Sequence, residues 1–198
     1  MAVAWINFAI MLVTGAIFPW LYIKSVGPAA LEQKIGERAY AVCGRYRMAA
    51  VVFMLVTFGS YGVYSFNPLP VPLARFFPWP WWVSALIALA LAIPAGYLLM
   101  RGMLDAGNET LRPDKATRLF GGIYQKIRHP QAWEVVFWFV AAFLLHSPFL
   151  FIFSFIWLPV EFAMVMAEEK DLLIRFGSSY REYRQRTGAF LPTRERKP

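Results

Sequence analysis

Apolar residues in this chain come in long blocks rather than in alternation, and short basic segments separate the blocks. Uncharged stretches cover residues 3–23, 48–66, 76–100 and 135–160, and a helix needs about 20 such residues to cross the hydrocarbon of a bilayer. The first three stretches predict one spanning helix each. The fourth is long for one span and short for two, but His146, Ser147 and Pro148 sit at its middle, and proline disfavours a helix that runs on through it. A helical hairpin over residues 130–167 is therefore predicted, with its turn at Ser147 and Pro148.

The basic residues decide between one span and two. Lys and Arg collect on the cytoplasmic side of membrane proteins. Here five lie in residues 24–47, six in 101–128, eight in 170–197, and Arg75 stands apart. A hairpin puts 19 on one side and 1 on the other, whereas a single span splits them 11 to 9. The reading is an all-α integral membrane protein of about five transmembrane helices, the last two a hairpin, with the N-terminus outside and the C-terminus cytoplasmic. Residues 1–111 hold three spans. Residues 112–198 hold a loop, the hairpin and a cytoplasmic tail, and it is this region that carries candidate chemistry.

Composition agrees with a bilayer. The chain is 59% hydrophobic and 18% aromatic, with a mean hydropathy of +0.46, too apolar for a soluble domain of its size. The net charge of +8 is explained by basic loops against an anionic leaflet, so it does not indicate nucleic acid as a partner. The one cysteine, Cys43, excludes an internal disulfide, and two histidines make a His-based metal site a poor reading. The first stretch lacks a basic leading segment and is read as a retained signal anchor. Residues 29–47 are expected to form an interfacial amphipathic helix, with Leu31, Ile35 and Ala39 on one side and Lys34 and Arg38 exposed. Residues 67–82, rich in proline and aromatics, read as an external loop packed at the lipid interface.

Candidate chemistry lies at the two ends of the hairpin. Residues 121–130 read Gly-Gly-Ile-Tyr-Gln-Lys-Ile-Arg-His-Pro; Glu168 and Glu169 follow where the hairpin returns, and residues 175–183 and 187–192 (Thr-Gly-Ala-Phe-Leu-Pro) complete the tail. Gly121 and Gly122 permit close backbone approach. Pro130 suits the first turn of a helix, whose free amides favour an anion. Glu168 can accept hydrogen bonds from hydroxyl or amino groups. Two acids, Glu134 and Glu161, sit inside the apolar hairpin, where a charge is costly and usually faces a cavity or a partner. Glu161, Val165 and Glu168 share one helical face by their spacing. Structural alternatives stand beside these readings: Arg128 and His129 as a polar interface anchor, the Glu168 pair as a solvated helix end, Glu134 or Glu161 as hydrogen-bonded core acids. Tyr180 and Tyr183 read as packing.

In order and spacing, residues 112–192 resemble the membrane methyltransferases typified by isoprenylcysteine carboxyl methyltransferase and phosphatidylethanolamine N-methyltransferase. The resemblance implies S-adenosylmethionine as cofactor, with contacts at Thr117, Arg118, Leu119, Gly122, Tyr124, His129, Pro130 and Glu168. It implies a lipid-like methyl acceptor entering from the bilayer. Beside it, Glu161, Glu134 and Arg128 are the candidate catalytic groups, and for an amine acceptor the buried Glu161 or Glu134 is the candidate base. Two positions depart from the pattern. Met164 stands where the carboxyl methyltransferases carry an Arg that holds the substrate carboxylate, and Ala132 stands where many relatives carry Tyr. The absent Arg leaves no clamp for an anionic acceptor. An NADPH-dependent membrane reductase of the sterol-reductase type and a non-catalytic membrane scaffold are the alternative functions. No Gly-x-Gly-x-x-Gly follows a strand, which excludes a Rossmann-type cofactor domain.

Overall fold

The computed structural model describes residues 1–115 and 121–193. It is helical throughout: α1 (Ala2–Ser25), α2 (Pro28–Ile35), α3 (Arg38–Phe66), α4 (Trp81–Ala106), α5 (Val136–Leu144), α6 (Pro148–Ser154) and α7 (Trp157–Arg186). Short 3₁₀ segments cover Gly107–Thr110, Gly122–Gln125 and Pro130–Val135. Among the described residues the only β-type pairing is an isolated bridge between Ile127 and Gly188.

Four helical segments are long and apolar enough to cross a membrane: Ala2–Ser25, Arg38–Phe66, Trp81–Thr110 and Pro148–Arg186. The chain is thus a multi-pass membrane protein. Large apolar side chains such as Val3, Ile6, Leu55, Leu89, Ile93 and Phe162 point outward from these helices, as a surface solvated by lipid requires. The fifth apolar segment, Pro130–Leu144, is shorter.

The hairpin turn falls at the expected place for the expected reason. Leu144 ends α5, His146 takes a left-handed φ of 53°, and Pro148 occupies the first turn of α6, where its missing N–H costs nothing. The Ser147 hydroxyl oxygen accepts from the Leu150 amide at 3.3 Å and caps the new helix. Inside the membrane region the helices are joined by aromatic stacking and by buried hydrogen bonds. Trp138 stacks on Trp157 at 4.3 Å; the Trp157 indole donates to the Tyr61 hydroxyl at 2.9 Å; the Thr14 and Thr57 hydroxyls meet at 2.8 Å and the Asn7 amide donates to the Ser60 carbonyl at 3.0 Å. Such bonds between membrane helices contribute about 0.6 kcal/mol each.

One local expectation is corrected. Residues 29–47 do not form one interfacial helix: α2 stops at Ile35, Gly36 adopts φ 68°, and α3 begins at Arg38. The apolar periodicity ran through both helices, so it concealed the break. Pro130 occupies the first turn of a helical run, as expected, here a 3₁₀ segment that leads into α5, and its ring is packed against α4 beside Gly102, where an added Cβ would lie 2.9 Å from the Pro130 Cγ.

Candidate functional site

A cavity of about 320 Å³ opens at the end of the bundle where the C-terminal tail lies, within the size range of small-molecule sites. Its wall combines α1 (Phe18, Tyr22), α3 (Arg47, Met54), α4 (Leu99, Met103), the 3₁₀ segment after His129, and α7 (Glu161, Val165, Glu168). Both limbs of the hairpin therefore face it, as the helical spacing of Glu161, Val165 and Glu168 requires.

One side is closed by a buried ionic cluster. The His129 imidazole, 4% exposed, has Nδ1 3.3 Å from Glu168 Oε2 and Nε2 3.2 Å from Glu169 Oε1. Carboxylates accept and do not donate, so satisfying both ring nitrogens calls for the doubly protonated imidazolium. Burial alone would push the His129 pKa down, but the hydrogen bonds to Glu168 and Glu169 outweigh it and raise the group to about 9. Glu169 also takes the Arg128 guanidinium at 2.8 Å and that of Arg184 at 3.3 Å. Arg128 donates further to the carbonyls of Arg184 and Thr187.

The tail completes this wall. α7 carries a break at Gly177, whose φ of 54° and ψ of −123° suit glycine, and the chain beyond it turns back. The Arg128 and His129 amides donate to the Gly188 and Ala189 carbonyls at 2.9 and 3.0 Å, the Trp133 indole to the Phe190 carbonyl at 3.1 Å, and the Tyr183 hydroxyl to the Tyr124 carbonyl at 2.6 Å. Tyr180 and Tyr183 are both buried and in ring contact, in keeping with a packing role.

Because the folded-state pKa of His129 lies above its ordinary value of about 6.5, the stabilisation it provides is complete below about pH 6.5 and is lost as pH rises through about 9. The full loss is of the order of 3 kcal/mol. We expect the thermal midpoint of detergent-purified protein to fall between pH 7 and 10, and to fall less in His129→Gln; equal pH slopes for the two proteins would rule out the imidazolium.

The sequence-derived candidates divide into groups. Tyr124, Arg128, His129, Pro130, Glu134, Glu161 and Glu168 all line the cavity. Within that set, Arg128 and His129 spend their polar atoms on protein partners, whereas Glu168, which lines the cavity, has a side chain 30% exposed. Gly122 is placed elsewhere: it has φ 57°, and an added Cβ would lie 2.2 Å from Asp105 Oδ2, so its close approach serves the Asp105 carboxylate, which accepts from the Ile123 amide at 2.7 Å. Thr117, Arg118 and Leu119 lie outside the described residues. Met164 is buried in the core, and Ala132 lines the cavity.

Several lining residues had no signal in the sequence. Arg47 reaches in from the start of α3, donating to the Glu109 carbonyl at 2.7 Å and to the Thr110 carbonyl and Ser25, with its guanidinium 5.9 Å from the Tyr22 ring. Among the described residues it forms no ion pair. Glu109 and Arg175 pair at 2.7 Å, both nearly buried, and Asp171 accepts from the Ala30 amide in the first turn of α2 at 3.0 Å, anchoring α2 to α7. No protein family matches this chain, nor does any curated protein or solved structure.

Proposed function

We propose that this cavity binds S-adenosylmethionine and that the protein is an integral-membrane methyltransferase acting on a lipid-like acceptor. The observation that carries the reading is a pair of opposite charges in one cavity. Arg47 forms no ion pair among the described residues, and Glu168 lines the same cavity with a partly exposed side chain. An amino acid's carboxylate and ammonium complement that pair, and the apolar wall of Met54, Leu99 and Val165 suits the rest of an adenosyl thioether. Tyr22 offers a π face beside it. When bound, the sulfonium supplies a methyl group already activated by the positive charge on sulfur.

The protein's part is then proximity and alignment. His129 holds Glu168 in place through its Nδ1, Glu169 fixes His129, and the tail shields this side of the cavity from water. On the charge distribution, the cavity end faces the cytoplasm and the N-terminus lies outside. Pro130–Leu144 serves as a crossing of its own, the first limb of the hairpin: six 3₁₀ and nine α residues extend about 25 Å, close to the roughly 30 Å hydrocarbon thickness.

The test is transfer of radiolabelled methyl from S-adenosylmethionine, with purified protein, into a total lipid extract of the host membrane. Label in the organic phase supports the reading. Label confined to water-soluble material, or no transfer, rejects a lipid acceptor.

A further inference from the structure

The part of the cavity inside the hairpin has its own charge imbalance. Glu134 and Glu161 line it from opposite limbs, and neither forms an ion pair among the described residues. The cations sharing the cavity are held toward the tail end: Arg128 by Glu169, Arg175 by Glu109, and Arg47 by the carbonyls of residues 109 and 110. Beside the two acids no cation is placed to pair with a carboxylate or phosphate, whereas an ammonium would find either acid as its partner.

The route to this point is apolar. α3 and α4 follow one another in sequence but make at most a grazing contact, since α3 packs on α1 and α4 on the hairpin. Where they diverge, the cavity wall includes Val51 and Met54 on α3 and Leu99 and Met103 on α4, and Met103 is 39% exposed. A hydrocarbon chain lying between these helices would have one end in lipid and the other near the acids.

Resting on the reading of the cavity as a methyl-donor site, we infer that the acceptor is a long-chain amine: an amphiphile with a cationic nitrogen head and neither phosphate nor carboxylate. Its chain lies between α3 and α4, and its head meets Glu134 and Glu161. The ammonium gives a proton to the Glu161 carboxylate and becomes a neutral amine. The nitrogen lone pair forms the N–C bond to the methyl carbon as the C–S bond breaks, and that bonding pair stays on sulfur. The products are an N-methylammonium, a neutral thioether and protonated Glu161, which returns its proton to water.

Tetradecylamine, tetradecanoate and phosphatidylethanolamine, each in neutral-detergent micelles, are the probes. Cofactor-free protein is expected to bind tetradecylamine at least about tenfold more tightly than the other two, and Glu134→Gln/Glu161→Gln to lose that preference. Methyl label is expected in N-methyltetradecylamine. S-adenosylhomocysteine binding, followed in parallel, reports the folded donor site in both proteins. Binding of S-adenosylhomocysteine without amine preference, or with preference for tetradecanoate or phosphatidylethanolamine, overturns the amine inference and leaves the donor reading standing. An unchanged preference in the double variant also overturns it. Failure of S-adenosylhomocysteine to bind removes the donor reading, and the acceptor role with it.

Discussion

Glu169→Gln is expected to lower the thermal midpoint of the detergent-purified protein by something on the order of 10 °C. The Glu169 carboxylate, 4% exposed, faces Arg128, His129 and Arg184 at once, at 2.8, 3.2 and 3.3 Å. Gln keeps the shape and an acceptor oxygen but no charge, which leaves the nearly buried Arg128 and His129 with only the partly exposed Glu168 for compensation. Breaking such a buried pair from one side typically costs about 3–5 kcal/mol. The tail loses its anchor in the same step, because Arg128 joins the Arg184 and Thr187 carbonyls to the hairpin. A thermal scan in which Glu169→Gln melts with the native protein would show that the cluster is not the latch described above.

Glu168→Gln is expected to act chiefly on binding, with a smaller fall in midpoint than Glu169→Gln and a loss of S-adenosylhomocysteine affinity of about tenfold or more. Its side chain is 30% exposed, and among the described residues its ion-pair partner is the imidazole at 3.3 Å, so its contribution to stability is discounted by screening. In the proposed complex it is the acceptor for the ligand's amino or hydroxyl groups, and a charge-assisted bond there is lost on substitution. Calorimetric titration of both variants separates the roles: adjacent glutamates, one a latch and one a ligand group. A Glu168→Gln protein that binds as tightly as the native one would remove Glu168 from the site.

That division was not legible in the sequence. Consecutive positions on a helix point about 100° apart, so Glu168 and Glu169 were bound to face different surroundings, but which one met Arg128 depended on how the tail returns across residues 127–133. The apolar helices were legible because each is a continuous run near the bilayer length, and the turn at Ser147 because proline and the basic residues agreed on it. The missed break at Gly36 is the converse case, since a single left-handed residue leaves the apolar periodicity on either side intact. Arg47, Tyr22 and Asp171 were invisible for a different reason. Each reaches the cavity through packing between helices far apart in the chain, so no local spacing marks them. Gly122 shows that a glycine chosen for close approach does not announce what approaches; here it is the Asp105 carboxylate.

Titration of the native protein with S-adenosylhomocysteine and, separately, with NADPH, followed by calorimetry, asks most directly whether the cavity holds a methyl donor. A methyl-donor site gives saturable binding of S-adenosylhomocysteine and none of NADPH. Binding of NADPH alone, or of neither, would contradict that reading.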